Sequence, residues 1–600
     1  MKIRIQRPTP PSYIIAAHGF AHARCIEDVA ADMGLPTDPG ELYRYGQIIA
    51  KIDASQVQRH LRKRADGHIV IVTAMTPTPK GSGKTLTTIA LTDAINRVVG
   101  RKGKPCQKAT AVLREPSMGP VLGMKGGAAG GGYSQVIPME DINLHLTGDI
   151  HAITTAHNLL FAMAMAYAFE GKNQHAVDLH KFIWPRAVDM VDRSLREIHL
   201  SASGKYADAD MRVKSRYVIT AASEIMATMG LARNVDDLRQ RLGRIIVGSY
   251  KDCTPITAQK LEAVGGMLSI LLHAFNPNLV QTLDGNGVFI HTGPFANIAH
   301  GNSSVTALEL AVKASDYVVT EGGFAADLGA QKFMDIVCRT TGKHPSCAVI
   351  VCGTRDLKYQ GGMQPEGADK AQQRSFRFAE SPEGCLAGMW NLRIHIENLR
   401  KYGVPVVVAL NRFASDTDAE VDAVTSYVRD KLGAPCVAHT GYVDGPVGAE
   451  KLAHAVVDTI EKTHEKTAKD FKLLYPRTMH LKGIIETIAH EIYRAGEVKY
   501  ARGVESQLRA IEAATDETTN VCMSKTQFSI TDDGEYRGDP TGKPLTITKV
   551  RYAGGPGWVV AMCGSVFEMP GMSYATAGAR KLELERDDES FSGFVIKNLG

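Results

Sequence analysis

The sequence predicts an α/β protein built on a P-loop NTPase-like, doubly wound parallel sheet, with additional α/β and α+β domains. Three observations lead there. In residues 72–88 (VTAMTPTPKGSGKTLTT), a glycine-rich turn ending Gly83-Lys84-Thr85 follows the apolar run 68–73. It precedes a helical pattern carrying Ile89, Leu91, Ala94 and Ile95. Further apolar runs at 317–320, 347–352 (CAVIVC) and 404–410 (VPVVVAL) read as buried parallel strands. Helical patterns at 392–401 and 418–432 lie between or after them, and strands alternating with helices indicate a doubly wound sheet.

The first element to justify is the turn. Strand, glycine loop, Lys-Thr and helix together make a phosphate cradle. Backbone N–H groups and the helix N-terminus face the anion, Lys84 adds a point charge, and Thr85 is placed to hold Mg²⁺. The nucleotide loop is read as Thr78, Pro79, Lys80, Gly81, Ser82, Gly83, Lys84 and Thr85. The consensus glycine five residues before Gly83 is replaced by Thr78, and Lys80 lies one residue off the register of the second lysine of partner-switching ATPases.

The 600 residues divide by expectation into a helical lead-in (1–65), a nucleotide domain (66–345), a second α/β domain (346–515) and a small α+β domain (516–600). Net charge is +5 and spread along the chain, too weak to argue for nucleic acid. The basic cluster 60–64 reads as the solvated end of a helix. The ten cysteines are dispersed without a CxxC pair, which argues against a zinc site or a disulfide framework. The first thirteen residues lack an apolar signal core, and the longest apolar stretch, 159–169, is too short to span a bilayer. A cytoplasmic location, without membrane association, is the resulting expectation.

The second constellation runs over 113–153. Arg114 and Glu115 follow the apolar run 109–113, so they belong at a strand's carboxyl end, where ligands bind in open α/β sheets. Residues 126–132 (GGAAGGG) suit neither helix nor strand and let a backbone approach a ligand closely. Glu140, Asp141, Asn143, His145, Asp149 and His151 follow at a density that a core tolerates only with partners. A third cluster, 281–304, places His291 and His300 in glycine- and asparagine-rich turns. A fourth, 320–329, sets Phe324 among glycines after a strand, and a fifth is Asn411-Arg412-Phe413, directly after VPVVVAL. The polar stretch 360–385 reads as a long surface loop.

These segments resemble formate–tetrahydrofolate ligase. The resemblance is carried by TPTP…GKT, the whole of 113–153, ASEIMA, RLGRIIVG, NPNLVQTLDG, GPFANIAHGNSSV, DYVVTEGGFAADLGAQKF, HIENL, GVPVVVALNRF, VCMSKTQFS and PTGKPLTI, from about residue 40 to 570. It implies that ATP phosphorylates formate to formyl phosphate, which the folate amine attacks to give 10-formyltetrahydrofolate, ADP and phosphate. It implies Lys84 and Arg114 around the transferring phosphoryl group, with Arg114 gripping the acyl phosphate. Glu115, His145, Asp149 and His291 are then candidates for orienting formate or handling the amine proton, the base among them left open. Phe324 would line the pterin pocket and Phe413 would stack on the pterin, with Tyr442 standing where the family carries a tryptophan. ATP, Mg²⁺, a monovalent cation and a homotetramer belong to the same implication. The chain departs from the family at Lys80, Ser82, Leu86, Ala325 and Tyr442, which keeps a sibling ligase for another acid or pterin in view. Lys80 also keeps a non-catalytic ATPase switch in view.

Overall fold

Residues His68–Ala74 (HIVIVTA) have no polar side to offer water, and all but the first are buried. Such a strand is stable only inside a sheet covered on both faces. The computed structural model describes residues 4–78, 81–100, 107–125, 128–170, 176–200, 213–362, 375, 377–515, 519–564, 566–587 and 594–599. It places this strand, β1, in the middle of the sheet. The other parallel strands are β2 (Ala109–Leu113), β3 (Gly287–Ile290), β4 (Tyr317–Glu321), β5 (Pro345–Cys352), β6 (Val406–Asn411) and β7 (Cys436–His439). Their spatial order is β3-β2-β4-β1-β5-β6-β7, with every neighbouring pair parallel. Beyond β3 the sheet continues antiparallel through Asn278–Thr282, Ile49–Ile52 and Leu42–Tyr45.

Alternate residues of β1 enter different cores. Ile69 and Ile71 join one with the helices α3 (Val305–Ala314), α4 (Met389–Arg400) and α5 (Asp418–Lys431). Val70, Val72 and Ala74 join the other with α1 (Lys84–Val98) and α6 (Glu450–Asp470). The sheet is therefore mostly parallel and carries helices on both faces. The start of α5 is fixed by a capping box between Thr417 and Glu420, as its T-x-x-E spacing prescribes. Inside α1, the buried Asp93 carboxylate accepts from Thr282 Oγ1 at 2.8 Å and Asn286 Nδ2 at 2.6 Å, tying the helix to the antiparallel hairpin.

The strands expected from the apolar runs all form, each within a few residues of its expected limits. The lead-in differs. It carries helices Ser12–Ala21, Ile26–Asp32 and Ala54–Leu61, but also the strands Leu42–Tyr45 and Ile49–Ile52 that extend the central sheet. Four residues are too few for an alternating pattern to stand out. The expected division at 345/346 passes through one continuous sheet, because β5 pairs with β1. The helix Pro382–Ala387 begins inside the stretch 360–385, and most of the rest of that stretch lies outside the described residues. Near the carboxyl end a second sheet orders Glu497–Tyr500, Pro544–Ala553, Trp558–Cys563 and Asn520–Ser524.

The apolar stretch 159–169 is the second half of α2 (Asp149–Phe169), a 21-residue helix. It is the one helix among the described residues long and apolar enough to cross a membrane. Here its face Ile153, Ala156, Leu160, Phe161 and Ala164 packs into a separate core with Val264–Leu271. The nine described cysteines are free.

Ile71 is fully buried, whereas Leu584 is 70% exposed. Ile71→Ala is expected to destabilise by about 2–5 kcal/mol, and Leu584→Ala by no more than about 0.5 kcal/mol. Urea unfolding followed by circular dichroism compares them.

Candidate active site

Parallel strands end at the same edge of a sheet, so the segments that leave β1 to β7 converge there. The loop after β1 is built by its neighbours. Thr76 N–H donates to Asn391 Oδ1 at 3.0 Å, which anchors the start of the loop to α4. Thr78 N–H donates to Asp356 Oδ1 at 3.3 Å, just after β5. Gly81 N–H closes a turn on the Thr78 carbonyl at 3.0 Å. Asn411, the last residue of β6, donates from Nδ2 to the Ser82 carbonyl at 3.3 Å. Gly83 has φ +81°, and a Cβ there would come within 2.4 Å of Asn411 Nδ2, so both conformation and space require glycine. Lys84 opens α1, with Gly83 as its cap. Pro79 and Lys80 lie outside the described residues.

Arg114, at the end of β2, is separated from β1 by β4. The bridge is Glu321, the last residue of β4. Its Oε1 accepts from Arg114 Nε at 3.2 Å, and its Oε2 accepts from Thr85 Oγ1 at 2.7 Å. The glycines that follow lead to Phe324, whose φ is +58°. A non-glycine residue in that region carries strain of about 1–3 kcal/mol, a feature that clusters at ligand sites.

Glu115 turns inward. It is buried and lies beside Asp149, the first residue of α2. Burial, with the Asp149 carboxylate added, pushes the Glu115 carboxyl well up. Asp149 is itself held by Lys51, whose Nζ lies 2.6 Å from both carboxylate oxygens and donates to the Asn276 carbonyl at 2.9 Å. Two carboxyls thus share one buried lysine.

His291 follows β3 and is fully buried. Its Nε2 donates to the Ala274 carbonyl at 2.8 Å, so the neutral ring accepts at Nδ1 from Ser304 Oγ, 2.7 Å away. Burial, then the nearby Lys51 charge, lowers it to about 4. Both ring nitrogens are used within the protein. His145 is exposed. Burial raises the nearby Asp189 carboxyl, which accepts from Ser117 Oγ and from Met118 N.

The aromatic candidates fall in different neighbourhoods. The Arg355 guanidinium lies 4.3 Å from the Phe413 ring centre and 4.4 Å from that of Phe378. Tyr442, 38% exposed, lies on the glycine segment. Its carbonyl accepts from Tyr133 N at 2.9 Å, and a Cβ on Gly132 would meet that carbonyl at 2.0 Å. The described part of the glycine segment thus serves close backbone packing, and Gly130–Gly131 forms a two-residue strand instead of avoiding one. Of two surface concavities, one lies beside Tyr13, Met139 and Val595, the other beside Arg97, Tyr133 and Val447.

With the edge in place, comparison with known proteins is direct. The sequence profile of formate–tetrahydrofolate ligase matches residues 13–595. The chain belongs to the formate–tetrahydrofolate ligase family. It is 45% identical over 560 residues to the formate–tetrahydrofolate ligase of Rhizobium meliloti (strain 1021), covering 93% of this chain and 95% of the relative. It is 44% identical over 569 residues to that of Fervidobacterium nodosum, covering 95% and 97%. With the Granulibacter bethesdensis protein of the same name it shares 46% over 553 residues, 92% of each chain.

Reading from sequence missed Lys51, Asp189 and Asp356, and left Glu321 without a role. Lys51 had a visible signal, a cation inside the apolar strand IAKI. Asp356 had none, because nothing local ties it to a loop so distant in sequence.

Burial raises the Asp356 carboxyl to about 6, against the smaller lowering influences of Thr78, Ser82 and Lys84. An Asp raised by folding favours the native state in its protonated form. That stabilisation is present below pH ~4 and is lost as pH rises through about 6. Asp356→Asn is therefore expected to equal the parent near pH 4 and to melt higher above pH 6, by about 3 kcal/mol in stability. Melting curves across that range test it, and an unchanged difference between the two pH limits would refute it.

Proposed function

We propose that this chain uses ATP to join formate to tetrahydrofolate through formyl phosphate, giving 10-formyltetrahydrofolate, ADP and phosphate, with the chemistry at the carboxyl edge of the sheet. The supporting observation is Glu321, which sets Arg114 beside the loop that opens α1. Formate is a poor electrophile, and phosphorylation makes it a mixed anhydride. The transfer then needs positive charge around the phosphoryl group and exclusion of water from the product.

In this reading residues 78–85 form a P-loop-type cradle, Lys84 faces the transferring phosphoryl group, and Arg114 grips the acyl phosphate. Thr85 with Glu321 fits Mg²⁺: a hydroxyl and a carboxylate 2.7 Å apart stand at the loop, and Mg²⁺ takes one or two carboxylates together with substrate phosphates. Bound there, it would neutralise phosphate charge. A monovalent cation belongs to the same reading. His291, saturated and neutral, positions its surroundings, and His145, open to solvent, is the group placed to exchange the amine proton. Phe324 and Phe413 line the pterin pocket, and Tyr442 closes it over the glycine segment. A homotetramer in the cytoplasm completes the reading.

Arg114→Ala is expected to lower turnover about 10²–10³-fold, the usual loss for a donor to a developing anion, with ATP affinity nearly unchanged. Turnover is read by acid conversion of the product to methenyltetrahydrofolate and its absorbance. Undiminished turnover would remove Arg114 from the mechanism. Tyr442→Ala is expected to weaken pterin binding by about 1–3 kcal/mol, seen in the tetrahydrofolate KM, whereas an unchanged KM would place Tyr442 outside the pocket.

A further inference from the structure

Behind Arg114 four buried polar atoms have no hydrogen-bond partner among the described residues. They are both ring nitrogens of His300, Oγ1 of Thr292 and Oδ1 of Asn302. His300 and Thr292 are fully buried and Asn302 is 1% exposed. Orphaned polar atoms are scarce in native interiors, and several in one place call for a ligand or ordered water.

The neighbourhood is shared. The Thr292 carbonyl accepts from Glu115 N at 2.7 Å, next to Arg114. A Cβ built on Gly230 would lie 2.7 Å from His300 Cε1, 2.9 Å from His300 Nε2 and 3.6 Å from Thr292 Oγ1, so the two side chains meet over the bare backbone of Gly230. A Cβ on Gly323 would lie 2.9 Å from Arg114 Nη1 and 3.1 Å from the Gly301 carbonyl, which sets the His300–Asn302 turn against the guanidinium. Thr292 is β-branched yet has φ +48°. Strain of this kind persists only where the surroundings hold it. Burial first, then the Lys332 and Arg114 charges, lower His300 to about 3, so its ring is neutral and offers one N–H.

We infer that Thr292 and His300 bind the acyl oxygen of the one-carbon unit. The threonine hydroxyl and the neutral imidazole N–H donate to the formate oxygen that is not phosphorylated. When the amine nitrogen attacks, its lone pair forms the C–N bond and the carbonyl π pair moves onto this oxygen. On collapse the C=O bond re-forms, the C–O bond to phosphate breaks, and phosphate leaves with that pair. The amine proton leaves through His145 to solvent, as in the proposed reading. Donors fixed in advance at the developing oxyanion favour the transition state over the ground state. Asn302 Oδ1 only accepts, so it suits water and not this oxygen. The inference rests on the reading of Arg114 as the grip on the acyl phosphate.

The test uses the full-length protein with Mg-ATP, formate and tetrahydrofolate. Thr292→Val, which removes the hydroxyl, is compared with Thr292→Ser, which keeps it, and with Arg114→Ala. Thr292→Val is expected to lower kcat about a hundredfold and to raise the formate KM, with the ATP KM unchanged, while Thr292→Ser restores most of both. If Thr292→Val and Thr292→Ser lose thermal stability alike and keep the parent's formate KM and kcat, the atoms hold water only and the inference is overturned. If Arg114→Ala keeps full turnover, the underlying reading fails instead. Should Thr292→Val not fold, His300→Gln against His300→Leu makes the same comparison of a retained and a removed donor.

Discussion

The Glu321 carboxylate is 4% exposed and accepts hydrogen bonds from residues 207 and 236 positions away in the chain. Each oxygen has its own donor, as a buried carboxylate requires. That arrangement decides where the loop after β1 stands relative to Arg114 at the end of β2. Since β4 lies between β1 and β2, a residue at its end is the natural place for such a bridge. The surrounding loops add constraints one at a time: Asn411 from β6, Asp356 after β5, Asn391 from α4. None of these reaches both sides.

A second fixed point lies deeper. Lys51 comes from the lead-in strand Ile49–Ile52, paired on both sides by Leu42–Tyr45 and Asn278–Thr282, and Asp149 from the first turn of α2. A carboxylate at a helix N-terminus is favoured by the helix dipole, and the lysine answers its remaining charge. Glu115 is the odd partner. With Asp149 already matched by Lys51, its carboxyl is driven toward the neutral form. Breaking a buried pair of this kind typically costs about 3–5 kcal/mol. The lead-in is thereby part of the site's foundation.

Much of this was legible in the sequence because the central strands are covered on both faces. Uninterrupted apolar runs such as HIVIVTA and VPVVVAL announce such strands without any alternation to decode. The loop after β1 and the Arg114-Glu115 pair were legible because their residue types are rarely placed together for packing alone. What was not legible depended on distance along the chain. Nothing near Asp356 shows that it will receive Thr78. His291 looked like a catalytic imidazole in a glycine turn, yet the Ala274 carbonyl and Ser304 claim both its nitrogens. The short strands of the lead-in escaped because four residues carry too little pattern.

The strand order also has a consequence for how the protein is made. β1 emerges early in synthesis, but its sheet neighbours β4 and β5 come only from residues 317–321 and 345–352, and β7 closes the edge at 439. Until β4 is made the nascent chain carries a largely apolar strand with both edges unpaired. Pairing between such distant segments is slow and leaves the strand open to aggregation in the meantime. The loop after β1 is thus among the first parts translated and among the last to acquire its shape. A chain released before residue 439 would lack the final strand of this sheet.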